Sequence, residues 1–290
     1  MNSKIELKPY SKEDIYFFVK AVFSIILYFV LAYGMVVIFS SESISPSLQS
    51  AIIFYAILLL LAIFIRMGYY IGYLKGNAVK VTSAQFPDIA EIVSRQSELL
   101  ELNKVPDVYI IQSGGLLNAL TTNFFGTNYI VLFSEMVESA YEQDKKVLEF
   151  IIGHELGHIK HRHMLKRMLL LPSGIIPFLN AAYSRACEYT CDNIGYTLCP
   201  EGAKNGLLLM ASGRLLFKNV NVPEFINQNQ TEAGFWKWFA EKLSSHPNLT
   251  KRIARLKDHI KSAPVKPSAV LDPLPDDDYT RFMPRNIKDN

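Results

Sequence analysis

Two long apolar runs near the N-terminus constrain this chain more than any other feature. Ile15 to Phe39 is broken only by Lys20, and Ser50 to Leu74 follows it. Each run is roughly 25 residues, enough at 1.5 Å per residue to cross a hydrocarbon core of about 30 Å with some tilt. Buried core helices of soluble proteins rarely carry apolar runs of that length. The first run also exceeds the apolar part of a secretory signal, and no small-residue cleavage site follows it. An uncleaved membrane hairpin is therefore expected. Lys4, Lys8, Lys12 and Lys20 precede or open the first span, and Arg66, Lys75 and Lys80 close the second, while the loop "SSESISPSLQ" has neither lysine nor arginine. The positive-inside bias puts both ends, and everything after residue 76, on the cytoplasmic side of the cell membrane as a multi-pass protein.

The rest of the chain reads as a compact domain. A formal net charge of +3, with no basic stripe of interleaved aromatics, gives no sign of a nucleic-acid partner. Three cysteines are too few for a disulfide framework and suit a reducing compartment. Helical spacing and an early proline predict a helix over 86–102. "DVYIIQ" and "YIVLF" (129–133) read as strands, separated by a glycine- and asparagine-rich hairpin or loop region. A single long helix is expected from Tyr141 through Met164, then helices over 184–197, 201–217, 235–243 and 249–260. The apolar stretch Met168 to Tyr183 is interrupted by Pro172, Gly174 and Pro177, too short for two crossings. It is expected to form a kinked helix that touches the membrane or roofs a cleft. The division is a membrane anchor over 1–76, a domain over 77–263 and a proline-rich acidic tail over 264–290. Trp236 and Trp238 are expected mainly in the core.

The stretch "GHELGHIKHRH" carries four of the six histidines. On a helix, residues i and i+4 lie about 40° apart around the axis, so His154 and His158 share a face and can grip one ion. Glu155 points about 100° away, unsuited as a ligand on that face but able to reach a metal-bound water. A catalytic zinc needs a third protein ligand and an open position. Downstream, "RACEYTCDNIG" offers Glu188 as that ligand, and Asp192 one turn on as a hydrogen-bond acceptor for a ligand imidazole. Cys187 and Cys191 have the same i, i+4 spacing and would complete a closed His2Cys2 structural site instead, which would make the chain a membrane scaffold. Such a site leaves Glu155 without a use. Gly153 and Gly157, each costing about 1 kcal/mol in helix propensity, are expected where a neighbouring backbone comes close. His161 and His163 are expected at the solvent or the cleft rim, since a glycine at 161 and a histidine at 164 would be needed for a metzincin site.

"HELGH" followed by "CEYTCD" resembles the gluzincin metallopeptidases, specifically the HtpX-like membrane proteases related to the CAAX prenyl proteases. "VPDVYIIQSGGLLNALTTNFF", "YIVLFSEMVE" and "SHPNLTKRIARL" extend the likeness over 86–256, with Leu120 where that group more often has phenylalanine. The resemblance implies an α+β, mostly helical gluzincin-like domain with a small β-sheet behind a transmembrane hairpin. It implies one Zn²⁺ held by His154, His158 and Glu188, with Glu155 as general base and polypeptides as substrates, namely unfolded or damaged membrane proteins. His246 or Arg252 is expected to face the developing oxyanion, or to pin the C-terminal helix. Asn118, Ala119 and Leu120 are expected to pair with an extended substrate. A prenyl-processing peptidase is the third reading.

Overall fold

The computed structural model describes residues 7, 9–115 and 117–262, with side chains to Leu256. The described residues up to Leu256 form one compact unit. The acidic tail expected over 264–290 lies outside the described residues.

Helices α1 (Ser11–Ser40) and α2 (Pro46–Asn77) are long and apolar enough to cross a membrane, and their apolar windows lie almost wholly unburied. Ser45 caps α2 by accepting from Leu48 N, with Pro46 in the first turn. On α1 only three residues are buried, all polar: Glu13, Lys20 and Ser24. Their i, i+7, i+11 spacing makes a single stripe, and that stripe faces the domain. Lys20 Nζ donates to Asn180 Oδ1 at 2.9 Å, and Ser24 Oγ accepts from Ser173 N at 3.3 Å. Lys20 is therefore a docking contact within the apolar run.

A four-stranded sheet follows: β1 (Val79–Lys80), β2 (Asp107–Ile111), β3 (Ala119–Phe124) and β4 (Thr127–Phe133), in the order β1-β2-β4-β3. β2 and β4 run parallel, with Val108 opposite Ile130, while β3 pairs antiparallel with β4 only. Tyr109, Tyr129 and Val131 pack against Ile71 and Leu74 at the end of α2. Their alternates Val108, Ile130 and Leu132 are buried too, as strands covered on both faces require. β3, expected within a hairpin or loop region with a strand-like segment at 118–120, is an edge strand forming a hairpin with β4.

Helices α3 (Pro87–Leu99), α4 (Ser134–Gln143), α5 (Lys145–Lys160), α6 (His163–Leu169), α7 (Leu179–Leu198), α8 (Pro200–Ser212), α9 (Val222–Thr231), α10 (Phe235–Leu243) and α11 (Leu249–Ser262) complete the fold. The single long helix expected through the histidines is three. Asp144 interrupts it with extended backbone and caps α5 by accepting from Lys146 N, and Arg162, in the left-handed region at φ 53°, separates α5 from α6. α9 has no counterpart in the sequence reading. α5 is buried nearly all round and forms the central element. A Cβ at Gly153 would lie 3.2 Å from Gly195 Cα, and one at Gly157 would lie 3.2 Å from Cys191 Cα, so the glycines let α7 cross α5 at close range. The mostly helical α+β architecture with its small sheet is as the sequence implied.

Between α6 and α7 the chain makes a short 3-10 helix, Pro172–Ile175, that packs beside α1. Leu171 and Ile175 are each 74% exposed. The segment is broken, as its prolines and glycine dictate, and lies alongside α1 with Leu171 and Ile175 outward.

Candidate metal centre

α5 and α7 cross so that one carboxylate faces both histidines of the motif. His154 Nε2 lies 3.3 Å from Glu188 Oε2, and His158 Nε2 lies 3.5 Å from Glu188 Oε1. Donor atoms around a tetrahedral zinc with bonds near 2.0–2.1 Å stand about 3.3 Å apart. Both contacts, each to a different oxygen of the carboxylate, are close to that spacing, so the two imidazoles and Glu188 are placed where they could hold one small divalent ion. His246, in the loop before α11, brings its Nε2 to 3.6 Å from Glu188 Oε1 while its side chain stays 63% exposed. It stands at the open mouth of the site.

His154 is oriented from behind. His154 Nδ1 is 3.1 Å from Asp192 Oδ1, and Arg252 grips the same carboxylate with Nε at 2.8 Å and Nη2 at 2.6 Å. Arg252 is thus paired with Asp192 and pins α11 to α7, the second of the two roles expected of it. Burial disfavours the charged imidazole of His154, but the hydrogen bonds to Asp192 and Glu188 outweigh it and raise the group to about 10. Burial dominates at His158 and pushes it well down. Glu188 lies well below the usual carboxylate range, because the two histidines and Arg252 outweigh its burial.

Glu155 is buried beside the pair, and Thr121 Oγ1 donates to its Oε2 at 2.7 Å. Burial raises its carboxyl, opposed by His154 and by that hydroxyl. Thr121 belongs to β3, so the edge strand and the motif helix meet at Glu155. Ala119 and Leu120 lie on the same strand, with Asn118 just before it accepting from Phe133 N. Thr121 was not singled out from sequence. Its signal was weak, a threonine in a short run of polar and β-branched residues.

The cysteines divide. Cys191 belongs with His154 and His158 in a group whose ligand atoms lie within 4.8 Å of one another, whereas Cys187 groups with Glu13 and His163. The four-ligand His2Cys2 arrangement is therefore not assembled among the described residues. Cys191 packs where α7 crosses Gly157, and burial raises its thiol well above the ordinary range. His163, expected at the surface, is fully buried, its Nδ1 2.9 Å from His158 Nδ1 and its Nε2 3.1 Å from Glu13 Oε1. Helix α6 folds back against α1 and turns it inward. His161 is partly exposed and stacks on it. Trp236 and Trp238, expected in the core, are 76% and 51% exposed on α10.

Comparison with known proteins gives the same region. The family model "Peptidase family M48" matches residues 83–176 and 168–260. A CAAX prenyl protease 1 homolog of Dictyostelium discoideum is 42% identical over 67 residues, 23% of this chain and 15% of that protein. A protease HtpX homolog of Helicobacter acinonychis is 23% identical over 216 residues, 61% of this chain and 68% of that protein. The plastoglobule-localized metallopeptidase 48 of Arabidopsis thaliana is 25% identical over 172 residues, 53% of this chain and 48% of that protein. The crystal structure of S. mikatae Ste24p aligns with a TM-score of 0.44 at 17% identity, covering 85% of this chain and 66% of that one. With the family model laid across more than half of its length, the chain belongs to peptidase family M48.

Proposed function

We propose that this chain is a membrane-anchored zinc endopeptidase that cleaves polypeptides on the cytoplasmic side. One observation carries the reading: a single carboxylate, Glu188, spans the Nε2 atoms of His154 and His158 at near-tetrahedral donor spacing, with Glu155 buried next to them. Residues 1–76 act as anchor and 77–263 as the peptidase domain, with 264–290 as a tail. His154, His158 and Glu188 hold one Zn²⁺, which when bound supplies a Lewis acid for the scissile carbonyl and for a water.

The chain's own groups do the remaining work. Glu155, held by the Thr121 hydroxyl, takes the proton of the attacking water and returns it to the leaving amine. Its burial makes it a better base than an exposed carboxylate. His246 stands on the open side, where an imidazole N–H can face the oxygen on which negative charge develops. β3 offers its unpaired edge to an extended substrate at Asn118, Ala119 and Leu120, recognising backbone more than side chains. That suits unfolded membrane proteins, and so a role in quality control. The prenyl-processing reading draws support from a short stretch of similarity only.

Wild type and Glu155→Gln are compared in detergent for bound zinc and for cleavage of an unfolded protein. Zinc is expected to stay and cleavage to fall at least about a hundredfold. Unaltered cleavage would remove Glu155 from this role. Cys191→Ser, alone and with Cys187→Ser, should leave the zinc content unchanged; loss of the metal would favour the thiolate site.

A further inference from the structure

His154 is backed directly by a carboxylate, Asp192. His158 is not: its Nδ1 meets the Nδ1 of another imidazole, His163, at 2.9 Å. Two ring nitrogens at that distance require one to donate and the other to accept. The far side of His163 fixes the direction. Its Nε2 lies 3.1 Å from Glu13 Oε1 in a fully buried setting. Were His163 to donate from Nδ1 to His158, its bare Nε2 would face that carboxylate, lone pair against lone pair, with no water to relieve it. The direction that satisfies every group runs from His158 Nδ1–H to His163 Nδ1, and from His163 Nε2–H to Glu13. It leaves the Nε2 lone pair of His158 bare, facing Glu188.

Glu13 is itself held. Its Oε2 accepts from the Thr190 hydroxyl, whose oxygen accepts in turn from Tyr10 N at 2.9 Å, and its Oε1 lies 3.4 Å from Lys166 Nζ. Thr190 belongs to α7, the helix that carries Glu188. Glu13 opens α1, the first membrane helix, and shares its buried stripe with Lys20 and Ser24.

We infer that Glu13 and His163 are positioning residues for the metal site: the first membrane helix supplies the carboxylate that, through His163, sets the tautomer and ring orientation of His158. This rests on the zinc site proposed above and extends it, making α1 a component of the centre as well as an anchor. It also accounts for the burial of the Glu13 carboxylate on a helix that is otherwise largely apolar.

Full-length protein in detergent micelles is titrated with zinc against a chromophoric chelator, for wild type, Glu13→Leu, Glu13→Gln, His163→Phe and Glu13→Leu/His163→Phe. The fold of each metal-free form is checked by circular dichroism. His163→Phe and Glu13→Leu should each weaken zinc binding by about 10- to 100-fold. The double variant should be no weaker than the poorer single, because the two act in series. Glu13→Gln keeps the shape and an acceptor oxygen, so it should fold and recover most of the affinity. The visible bands of the Co²⁺ form should shift in His163→Phe. Folded variants that bind zinc as tightly as wild type, with unshifted Co²⁺ bands, would overturn the relay and leave the network a purely structural one. Two zinc ions per wild-type chain, one of them lost in Glu13→Leu, would also overturn it, since Glu13 and His163 would then be ligands, with Cys187 beside them. A wild type that binds no zinc would instead sink the metal site itself.

Discussion

At the scale of single residues, the centre is a set of buried charges that hold one another. Glu188, Asp192 and Arg252 are each at most 4% exposed, so none could stay ionised there alone. Asp192→Ala should therefore do two separable things. It leaves Arg252 buried without its partner, costing about 3–5 kcal/mol in unfolding experiments, and it frees the ring of His154, weakening zinc binding by about 10- to 100-fold. The raised His154 carries a pH consequence. Below about 10 the metal-free imidazole is protonated, and zinc must displace that proton. Zinc affinity should therefore rise with pH, by up to about tenfold per unit between pH 6 and 9, and titration calorimetry in buffers of different ionisation enthalpy should detect about one proton released per ion bound. A pH-independent affinity over that range would mean that Asp192 and Glu188 do not hold the proton. Thr121→Val should keep the metal and lower kcat by roughly tenfold, because the hydroxyl holds Glu155 and touches no ligand.

At the scale of elements, close helix packing sets the geometry. α5 must approach α7 and α8 nearer than ordinary side chains permit. A Cβ at Gly202 would fall 1.8 Å from Lys146 O, an overlap with backbone that no rotamer change relieves. Gly202→Ala would gain about 1 kcal/mol in helix propensity, yet forcing α8 off the first turn of α5 costs about 1–3 kcal/mol or more. The melting temperature should fall, and a rise would show that α8 can slide freely. The edge strand β3 matters for a different reason. It links the motif helix, through Thr121, to an outer edge of the sheet, so that Glu155 and that edge are held together.

At the scale of the whole molecule, the exposed apolar surface continues past the two long helices. Leu171 and Ile175 lie outward beside α1, and Phe178 meets Phe239 of α10, whose Trp236 and Trp238 are exposed. Aromatic side chains of this kind favour the membrane–water interface. The chain has two tryptophans, so its tryptophan fluorescence reports on α10 alone. In nanodiscs, lipids brominated near the headgroup should quench it more strongly than lipids brominated at the chain ends. Absence of quenching by either would place α10 in water.

The sequence by itself determined two helices long and apolar enough to cross a membrane, through run length, and the shared face of His154 and His158, through the helical period. Both follow from rules acting over a few residues. It also pointed to Glu188 and Asp192, one turn apart on their own helix, but nothing local says that two helices will cross at a pair of glycines. That meeting, the edge position of β3 with Thr121, and the turn of His163 inward onto Glu13 were decided by tertiary structure. They join residues up to 177 positions apart, as Glu13 and Thr190 are, and no periodicity spans such a separation. Lys20 shows the difference most plainly. Read along the chain it is a flanking charge; folded, its ammonium is satisfied by Asn180, because an apolar helix that must dock on a domain needs a polar face on which to do so.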